Sequence, residues 1–584
     1  MLHDDSFLSV GTVGYIFANG DIGCTEAEDK LLFRKDDAMQ ITSLIPRRKK
    51  ANAARRFAVN ALLLIAVNLF MRTVGVAFNA YLSGRAGGGV MGLYSLLFGV
   101  YGLCMTLGCG GIHLGATRMV ADVMGQFCPV GEGRPTADTH EGAPCRMAIR
   151  RVLKKCLLYS LICGVGAGVL LFCFAPVIGR VWLGDERTVT SLRVLALTLP
   201  PIALCSCLNG YFTAVRRVAK TAAVGIGAQF IRIGFCALFL TLWIPYGVEA
   251  TCLALVLGGA LSEVCSLLLT VLAYLWDRHV YLRVRRGDTL PFTSNGAGDT
   301  KKLLGITVPV TLSACLRSGL ITLQHILIPR GLKRSGASWE SALSSYGVLH
   351  GMVLPVVLFP SAFISSFSGL LVPEVAESVA RGDRERVARL AFKIITPALV
   401  FSFGVAGIMS CFGYELGEAI YHSREAGMYI RILAPLIPIM YVDSSVDAFL
   451  KGMGEQVYSM NVNIIDAATS VLMVWLLLPS MGLWGYVLAI YVTETLNTTL
   501  SLVRMLKVCR MPVKLLKQVF GPLLCIIGAT AVCRIGGILF HLPIGGTWEL
   551  VLHIAVCVLI YGGLLLATGV LGKKELGEYA KVFR

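Results

Sequence analysis

Apolar runs of twenty or more residues recur from Phe57 to Leu571, separated by short polar gaps. A helix needs about 20 such residues to cross roughly 30 Å of hydrocarbon. The runs predict fourteen spans, at 57–80, 89–112, 153–179, 189–215, 219–244, 248–276, 301–329, 343–372, 388–412, 426–450, 456–479, 481–503, 516–540 and 549–571. None shows the strict alternation of barrel strands. A backbone in lipid must satisfy its own hydrogen bonds, so each run is expected to be a helix. The predicted fold class is all-α, a polytopic membrane protein.

Composition narrows the field further: 55% of the residues are hydrophobic and only 15% are charged, unlike a soluble domain. Lys and Arg are retained in short cytoplasmic loops. With the N-terminus inside, the inside gaps and both tails hold about 40 of them and the outside gaps about 9, which predicts both termini in the cytoplasm. Inside clusters include Arg47 to Lys50 with Arg55 and Arg56, Arg150 to Lys155, Arg283 to Arg286, Arg381 to Lys393, and Arg504 to Lys517. The net charge of +18 therefore answers anionic lipid headgroups and not nucleic acid, because no domain-sized basic face is left over. The 19 cysteines include no C-x-x-C pair, and most lie in apolar spans, as Cys163, Cys173, Cys205, Cys236 and Cys315 do. They read as small packing residues and not as disulfides or metal ligands. Residues 1–46 are mixed and partly acidic, with no charged start and apolar core of a cleavable signal peptide, so span one should act as its own insertion signal.

Internal repeats divide the chain. LRVLALTLPPIAL from Leu192 aligns with IRILAPLIPIMYV from Ile430 at an offset of 238 residues, pairing Arg193 with Arg431 and Pro200 with Pro438 and continuing to Tyr211 and Phe449. LFMRTVGVAFNAYL from Leu69 aligns with ACLRSGLITLQHIL from Ala314, pairing Arg72 with Arg317 and Asn79 with Gln324, and YSLLFG from Tyr94 aligns with YGVLHG from Tyr346. The expected organisation is a poorly ordered cytoplasmic segment 1–56, an N-lobe 57–276 with six spans, a cytoplasmic linker 277–300, a C-lobe 301–505 with six more, and spans thirteen and fourteen with the tail in 506–584. Six is even, so the lobes share one orientation. Parallel repeats of this kind bind substrate between them and alternate access by rocking.

A charge in the bilayer core costs at least ~2.5 kcal/mol and so faces a cavity or a partner. Arg72 and Arg317 lie mid-span at repeat-related positions, and Arg232 lies in span five. Guanidinium stays charged and offers a fork of donors that suits phosphate oxygens, so these arginines, with Asn79 and Gln324, are candidates for a pyrophosphate cradle. The competing reading has Arg72 and Arg317 in structural ion pairs or capping a broken helix, and Arg232 pairing with Glu263 on the next span. Arg534 reads as structural or interfacial. Asp443 and Asp447 share a helical face, with Asp466 and Glu494 on the two following spans. These acids, with Glu263, are candidates for binding Na⁺ or relaying protons as the coupling ion. Alternatively Asp443 and Asp447 only line an aqueous mouth. GVGAG from Gly164 sits inside an apolar span with no preceding strand and reads as close helix packing, while Pro200, Pro201, Pro309, Pro355, Pro360, Pro435 and Pro438 mark bends. No phosphate-binding loop, H-E-x-x-H or G-x-S-x-G is present, so an enzyme is not expected, nor a resident cofactor.

RRFAVNALLLIAVNLFMRTVGVAFNAYLSGRAGGGVMGLYSLLFGVYGL from Arg55 resembles the opening of the stage V sporulation protein B group, in the polysaccharide-transport branch of the multidrug/oligosaccharidyl-lipid/polysaccharide exporter superfamily. The likeness is carried by M-R-x-x-G-x-x-F-N-x-Y-L (Met71 to Leu82) and GLYSLLFGVY (Gly92 to Tyr101). It implies fourteen helices in two lobes around a central cavity and a cargo of undecaprenyl-pyrophosphate-linked saccharide such as lipid II, with Arg72 as the first-span cavity arginine. It also implies membrane lipids and cell-wall synthesis proteins as partners of a monomer. Phe78 stands where related lipid II flippases carry a second arginine, and a long cytoplasmic loop at about 119–150 departs from the pattern. The rivals are a cation-coupled drug antiporter of the multidrug and toxin extrusion branch, which usually has an acid in span one, and a non-transporting scaffold for cell-wall or spore assembly.

Overall fold

The computed structural model describes residues 47–127, 143–215, 217–281, 296–509, 516–539 and 547–570, and among these there is no strand. The N-terminal segment 1–46, the loop stretch 128–142, linker residues 282–295 with Arg283, Arg285 and Arg286, and the tail from 571 lie outside the described residues.

Helix α1 (Arg47–Cys109) runs for 63 residues with one break, at Gly87, whose φ of 78° and ψ of 169° suit only glycine. The chain turns there, so α1 supplies passes one and two. After α2 (Ile112–Phe127), α3 (Ala143–Val177) and a π-helical continuation (Ile178–Leu183) form pass three, and α4 (Thr188–Ala196) with α5 (Leu199–Ala214) form pass four. Passes five to seven are α6 (Val218–Trp243), α7 (Val248–Val280) and α8 (Gly296–Arg334). Pass eight is broken into α9 (Trp339–Gly347), a π-helical segment (Val348–Val353), α10 (Leu354–Leu358) and α11 (Ser361–Ala380). Then come α12 (Arg384–Tyr421), α13 (Arg424–Leu433) with α14 (Ile437–Gly452), α15 (Gln456–Met481), α16 (Leu483–Cys509), α17 (Gly521–Leu539) and α18 (Thr547–Ala567).

Twelve of the described stretches are long and apolar enough to cross a membrane, which makes this a multi-pass membrane protein. The first, Leu69–Met124, contains the turn at Gly87 and so two passes. Helix α16 is long enough, at 27 residues, but Thr493, Glu494, Thr495, Asn497, Thr498 and Thr499 dilute its hydropathy. Counting both gives the fourteen passes expected.

The two halves break their helices at matching places. Leu199 and Ile437 begin α5 and α14, Ala214 and Gly452 end them, and both pairs are 238 residues apart. The prolines at positions 200 and 438 explain the breaks, since a helix starting there loses nothing for a missing N–H. Arg193 lies 5.4 Å from the Phe172 ring centre and its mate Arg431 lies 5.6 Å from that of Tyr414. In the GVGAG stretch, a Cβ on Gly168 would stand 2.9 Å from the Ala196 carbonyl oxygen, so glycine does serve close packing of α3 on α4.

We call the end of the bundle where α1 begins the near end and the opposite end the far end. Pass two lies along pass seven over most of its length. Thr322 donates to the Gly99 carbonyl at 2.8 Å, Thr106 to Ser318 at 3.3 Å, and Thr311 to the Gly110 carbonyl at 2.6 Å. Nearer the far end, pass two meets pass eight so closely that a Cβ on Gly92 would fall 2.0 Å from the Leu343 carbonyl oxygen. At the far rim the Trp339 indole N–H donates to Asp185 at 3.4 Å, and Arg330 donates to the Val181 carbonyl. Arg187 grips the same Asp185 through both carboxylate oxygens. At the near end Lys302 pairs with Asp122 at 2.8 Å. Helices α17 and α18 pack on α12: Gln518 bonds Thr396 at 3.0 Å, the Tyr561 hydroxyl donates to the Val400 carbonyl at 2.7 Å, and Arg534 pairs with Glu415 at 2.9 Å.

One cysteine departs from the packing role: Cys145 is in a disulfide whose partner lies outside the described residues, while the other sixteen described cysteines are free. The sulfurs had no paired spacing to betray it.

Candidate functional site

Arg72 sits half-buried in pass one and donates to the Leu358 carbonyl of pass eight at 3.3 Å. That carbonyl is available because pass eight breaks between α10 and α11, where the Ala362 N–H bonds the Phe359 carbonyl and leaves Leu358 without its helical donor. Ser361 also donates to Leu358, at 2.6 Å, and the Tyr441 hydroxyl of α14 donates to the adjacent Val357 carbonyl at 2.6 Å. The first lobe thus places a permanent cation against the broken backbone of the second, and Arg72 acts as the cap of that break.

Arg317, its repeat mate on α8, is engaged elsewhere. It lies within electrostatic reach of Asp443 on α14 and Asp466 on α15. Glu494 on α16 is in turn close enough to act on both of those carboxylates. Two carboxylates from two helices therefore share one guanidinium inside the second lobe, with a third acid, Glu494, beside them. Asn497 donates to Asp443 Oδ2 at 3.1 Å, and Ser501 stands beside the same carboxylate. Asp443 Oδ1 and Asp466 Oδ1 are buried without a hydrogen-bond partner. Buried carboxylate oxygens left without donors suit an oxygen-seeking cation or a proton. Asp447 stands at the edge of this group, answered by Lys451 at 2.7 Å and by the Ser459 hydroxyl.

Within the first lobe Arg232 pairs with Glu263 at 3.6 Å, both half-buried. Nearby, the Tyr101 hydroxyl bonds Thr198 at 2.5 Å, sealing the break in pass four. Asn79 is half-buried on pass one, whereas Gln324 lies beside Tyr486 and so belongs to a buried aromatic cluster instead. The candidate residues thus fall into three groups: Arg72 at the inter-lobe break, Arg317 with Asp443, Asp466 and Glu494 in the second lobe, and Arg232 with Glu263 in the first. Sequence reasoning missed Tyr441, Asn497 and Ser501. Asn497 could have been found, since it follows Glu494 by three positions and so shares its helical face.

No family model matches the chain. It is homologous to Stage V sporulation protein B of Bacillus subtilis (strain 168), 24% identical over 466 residues that cover 79% of this chain and 86% of that protein. Sporulation protein YkvU of the same organism is 22% identical over 317 residues, 54% of this chain and 70% of its own. Among solved structures, the lipid II flippase MurJ in an inward closed conformation superposes with a TM-score of 0.64 at 10% identity, covering 87% of this chain and 99% of that one. An inward-facing multidrug resistance MATE family transporter of the MOP superfamily gives 0.56 at 15% identity, covering 76% and 96%. The chain shares the fold of these transporters.

Proposed function

We propose that this protein is a flippase that carries an undecaprenyl-pyrophosphate-linked saccharide, lipid II or a polysaccharide repeat unit, across the cytoplasmic membrane by alternating access. The near end, with both termini, faces the cytoplasm, and a single chain encloses the path. One observation carries the anionic cargo: pass one holds no acid, and its one charge, Arg72, is a fixed cation placed where the two lobes meet. A pyrophosphate offers the Arg72 guanidinium a better acceptor than a carbonyl does. The Leu358 contact is then the resting partner that cargo displaces. Homology to a sporulation protein and the fold shared with a lipid II flippase support the same reading. The acids around Arg317 supply the coupling, taking up Na⁺ or H⁺, and no chemistry is performed on the cargo.

A second reading has its own support. The cluster of Asp443, Asp466 and Glu494 would serve a cation-coupled drug antiporter equally well, and the MATE likeness favours it. Vesicles reconstituted with the full chain and fluorescent lipid II separate the two. Wild-type protein is expected to flip the lipid, Arg72→Gln to lose at least about tenfold in rate while keeping its thermal stability, and Arg317→Ala to lose as much with a lowered melting temperature, since it strands the carboxylates it answers. Gln still offers a donor to Leu358, so retained flipping in Arg72→Gln would show that the charge is not needed. Expulsion of cationic dyes without lipid flipping would establish the antiporter, and neither activity would leave a scaffold.

A further inference from the structure

Tyr441 of α14 reaches into the break in pass eight. Its side chain is fully buried, packed on the Phe401 ring of α12 with centres 6.4 Å apart, and Phe401 in turn lies 5.3 Å from Phe363 of α11. The hydroxyl donates to the Val357 carbonyl at 2.6 Å, and the Ser361 N–H stands beside it. Residues 357 and 361 are four apart, the spacing that bonds directly in an unbroken helix. The phenol is thus a wedge where that rung would run, and a group inserted into the ladder sets a bend. The bend presents the next carbonyl, that of Leu358, to Arg72, and Arg72 and Tyr441 lie within electrostatic reach of each other.

Asp443 stands two residues further along α14. That step rises about 3 Å and turns about 200° around the axis, so Tyr441 and Asp443 leave the helix on opposite sides. Asp443 faces α16, whose Asn497 donates to it at 3.1 Å. Helix α16 also grips the backbone on either side of the break in pass ten. Thr498 donates to the Ile439 carbonyl at 3.2 Å, and Tyr491 to the Ile432 carbonyl at 2.5 Å. One rod therefore carries the wedge on one side and an acid of the cluster on the other, and the packed rings leave Tyr441 to move only as α14 moves.

We propose that Tyr441 is a positioning residue that ties the charge state of Asp443 to the angle of the break in pass eight, and through it to closure of the lobes. This rests on the reading above, in which Arg72 meets the cargo and the acids meet the coupling cation. Coupling two sites requires an element that both bias. Pass eight is that element: it meets Arg72 at the break, and at its far end Gly92 of pass two makes room for the Leu343 carbonyl. When a cation or proton neutralises Asp443, its attraction to Arg317 and Asn497 changes and α14 shifts. The wedge shifts with it, the bend changes, and the far end of pass eight swings relative to the first lobe.

The test uses the full chain in lipid vesicles, with spin labels at Glu186→Cys on the first lobe and Glu340→Cys at the far end of pass eight, and the exposed Cys173 replaced by serine. Asp443→Asn removes the carboxylate charge, as an occupying cation does, and requires no choice between Na⁺ and H⁺. With Tyr441 in place it should change the ratio of long to short label distances at least about threefold. In Tyr441→Phe, which removes one oxygen, the same substitution should leave the ratio where it was, a strongly non-additive pair. Para-aminophenylalanine at position 441 keeps a donor in the break and should restore the response. An Asp443→Asn shift of equal size in both backgrounds reduces Tyr441 to packing and overturns the proposal. So does the lack of any shift with Tyr441 in place, a criterion that needs no change at that position. The readout requires no lipid II, so a wild-type protein that fails to flip it would remove the flippase reading and leave this linkage standing.

Discussion

A single arginine in an apolar span was conspicuous in the sequence, because its insertion cost demands a reason. What it touches was not. Arg72 meets a main-chain carbonyl 286 residues away, exposed by a helix break, and no side-chain pattern records a backbone acceptor. Its repeat mate shows the same limit, since Arg317 shares an alignment column with Arg72 yet answers carboxylates. The Asp443–Asp447 spacing, in contrast, was legible, and the structure distinguishes its members: Asp447 has Lys451 and Ser459, while one oxygen of Asp443 has nothing. Ion dependence of transport should therefore be lost in Asp443→Asn and largely kept in Asp447→Asn, measured as flipping rate against an imposed Na⁺ or pH gradient. Equal effects would mean the cation is not held where the unpaired oxygens are.

The rim carboxylate belongs to another pH range. Burial alone would push the Asp185 carboxyl up, but the hydrogen bonds and charge of Arg187 outweigh it and hold Asp185 below its usual value. Its stabilisation is thus full above the unfolded value, about 3.9, and is lost only as pH falls through the lower folded one. Asp185→Asn is expected to weaken the rim contact equally at every pH from about 5 to 8, seen as a constant increase in the open population by spin labels at Glu186→Cys and Glu340→Cys across the rim. A slope that the substitution introduces in that window would contradict this.

At the scale of elements, the two lobes fasten the same corner with opposite charges. Arg217 at the α5–α6 turn and Glu455 at the α14–α15 turn are 238 residues apart, the repeat offset. Arg217 and Lys220 both pair with Asp277 from the sixth pass of their lobe, and Tyr211 donates to it at 2.6 Å. Glu455 pairs with Arg504 from the sixth pass of the other, at 2.8 Å. Asp277 is fully buried, whereas the Glu455 pair is about a third exposed and partly screened by solvent. Removing a buried partner strands charges at roughly 3 kcal/mol or more, against about 1 kcal/mol or less for a half-solvated pair. Asp277→Ala should therefore lower the melting temperature of the purified protein clearly more than Glu455→Ala, and Glu455→Arg/Arg504→Glu should recover most of the loss of Glu455→Arg. Comparable losses for the two alanine variants would refute the burial ranking. The broken helices were foreseen from proline; the reversed corner was not, because repeat detection rewards identity and an inverted pair scores as a mismatch.

For the whole molecule, apolar run length alone determined how many times the chain crosses, since lipid leaves helices no alternative. The one pass that hydropathy underrates, α16, is the one carrying Glu494 and Asn497, so the polar residues that obscure it as a span are those that equip it for ions. Lobe assembly was harder to foresee, because seams made of glycine, threonine and main-chain oxygen carry no distinctive composition.

The attachment of α17 and α18 has a mechanical consequence. Bonded to α12 along its length, the pair rides as an outrigger on the second lobe and widens its profile in the bilayer. When two hinged bodies push against a viscous sheet, the one with less drag travels further. The first lobe, lacking such a keel, should sweep through the larger arc in each cycle while the second stays comparatively still.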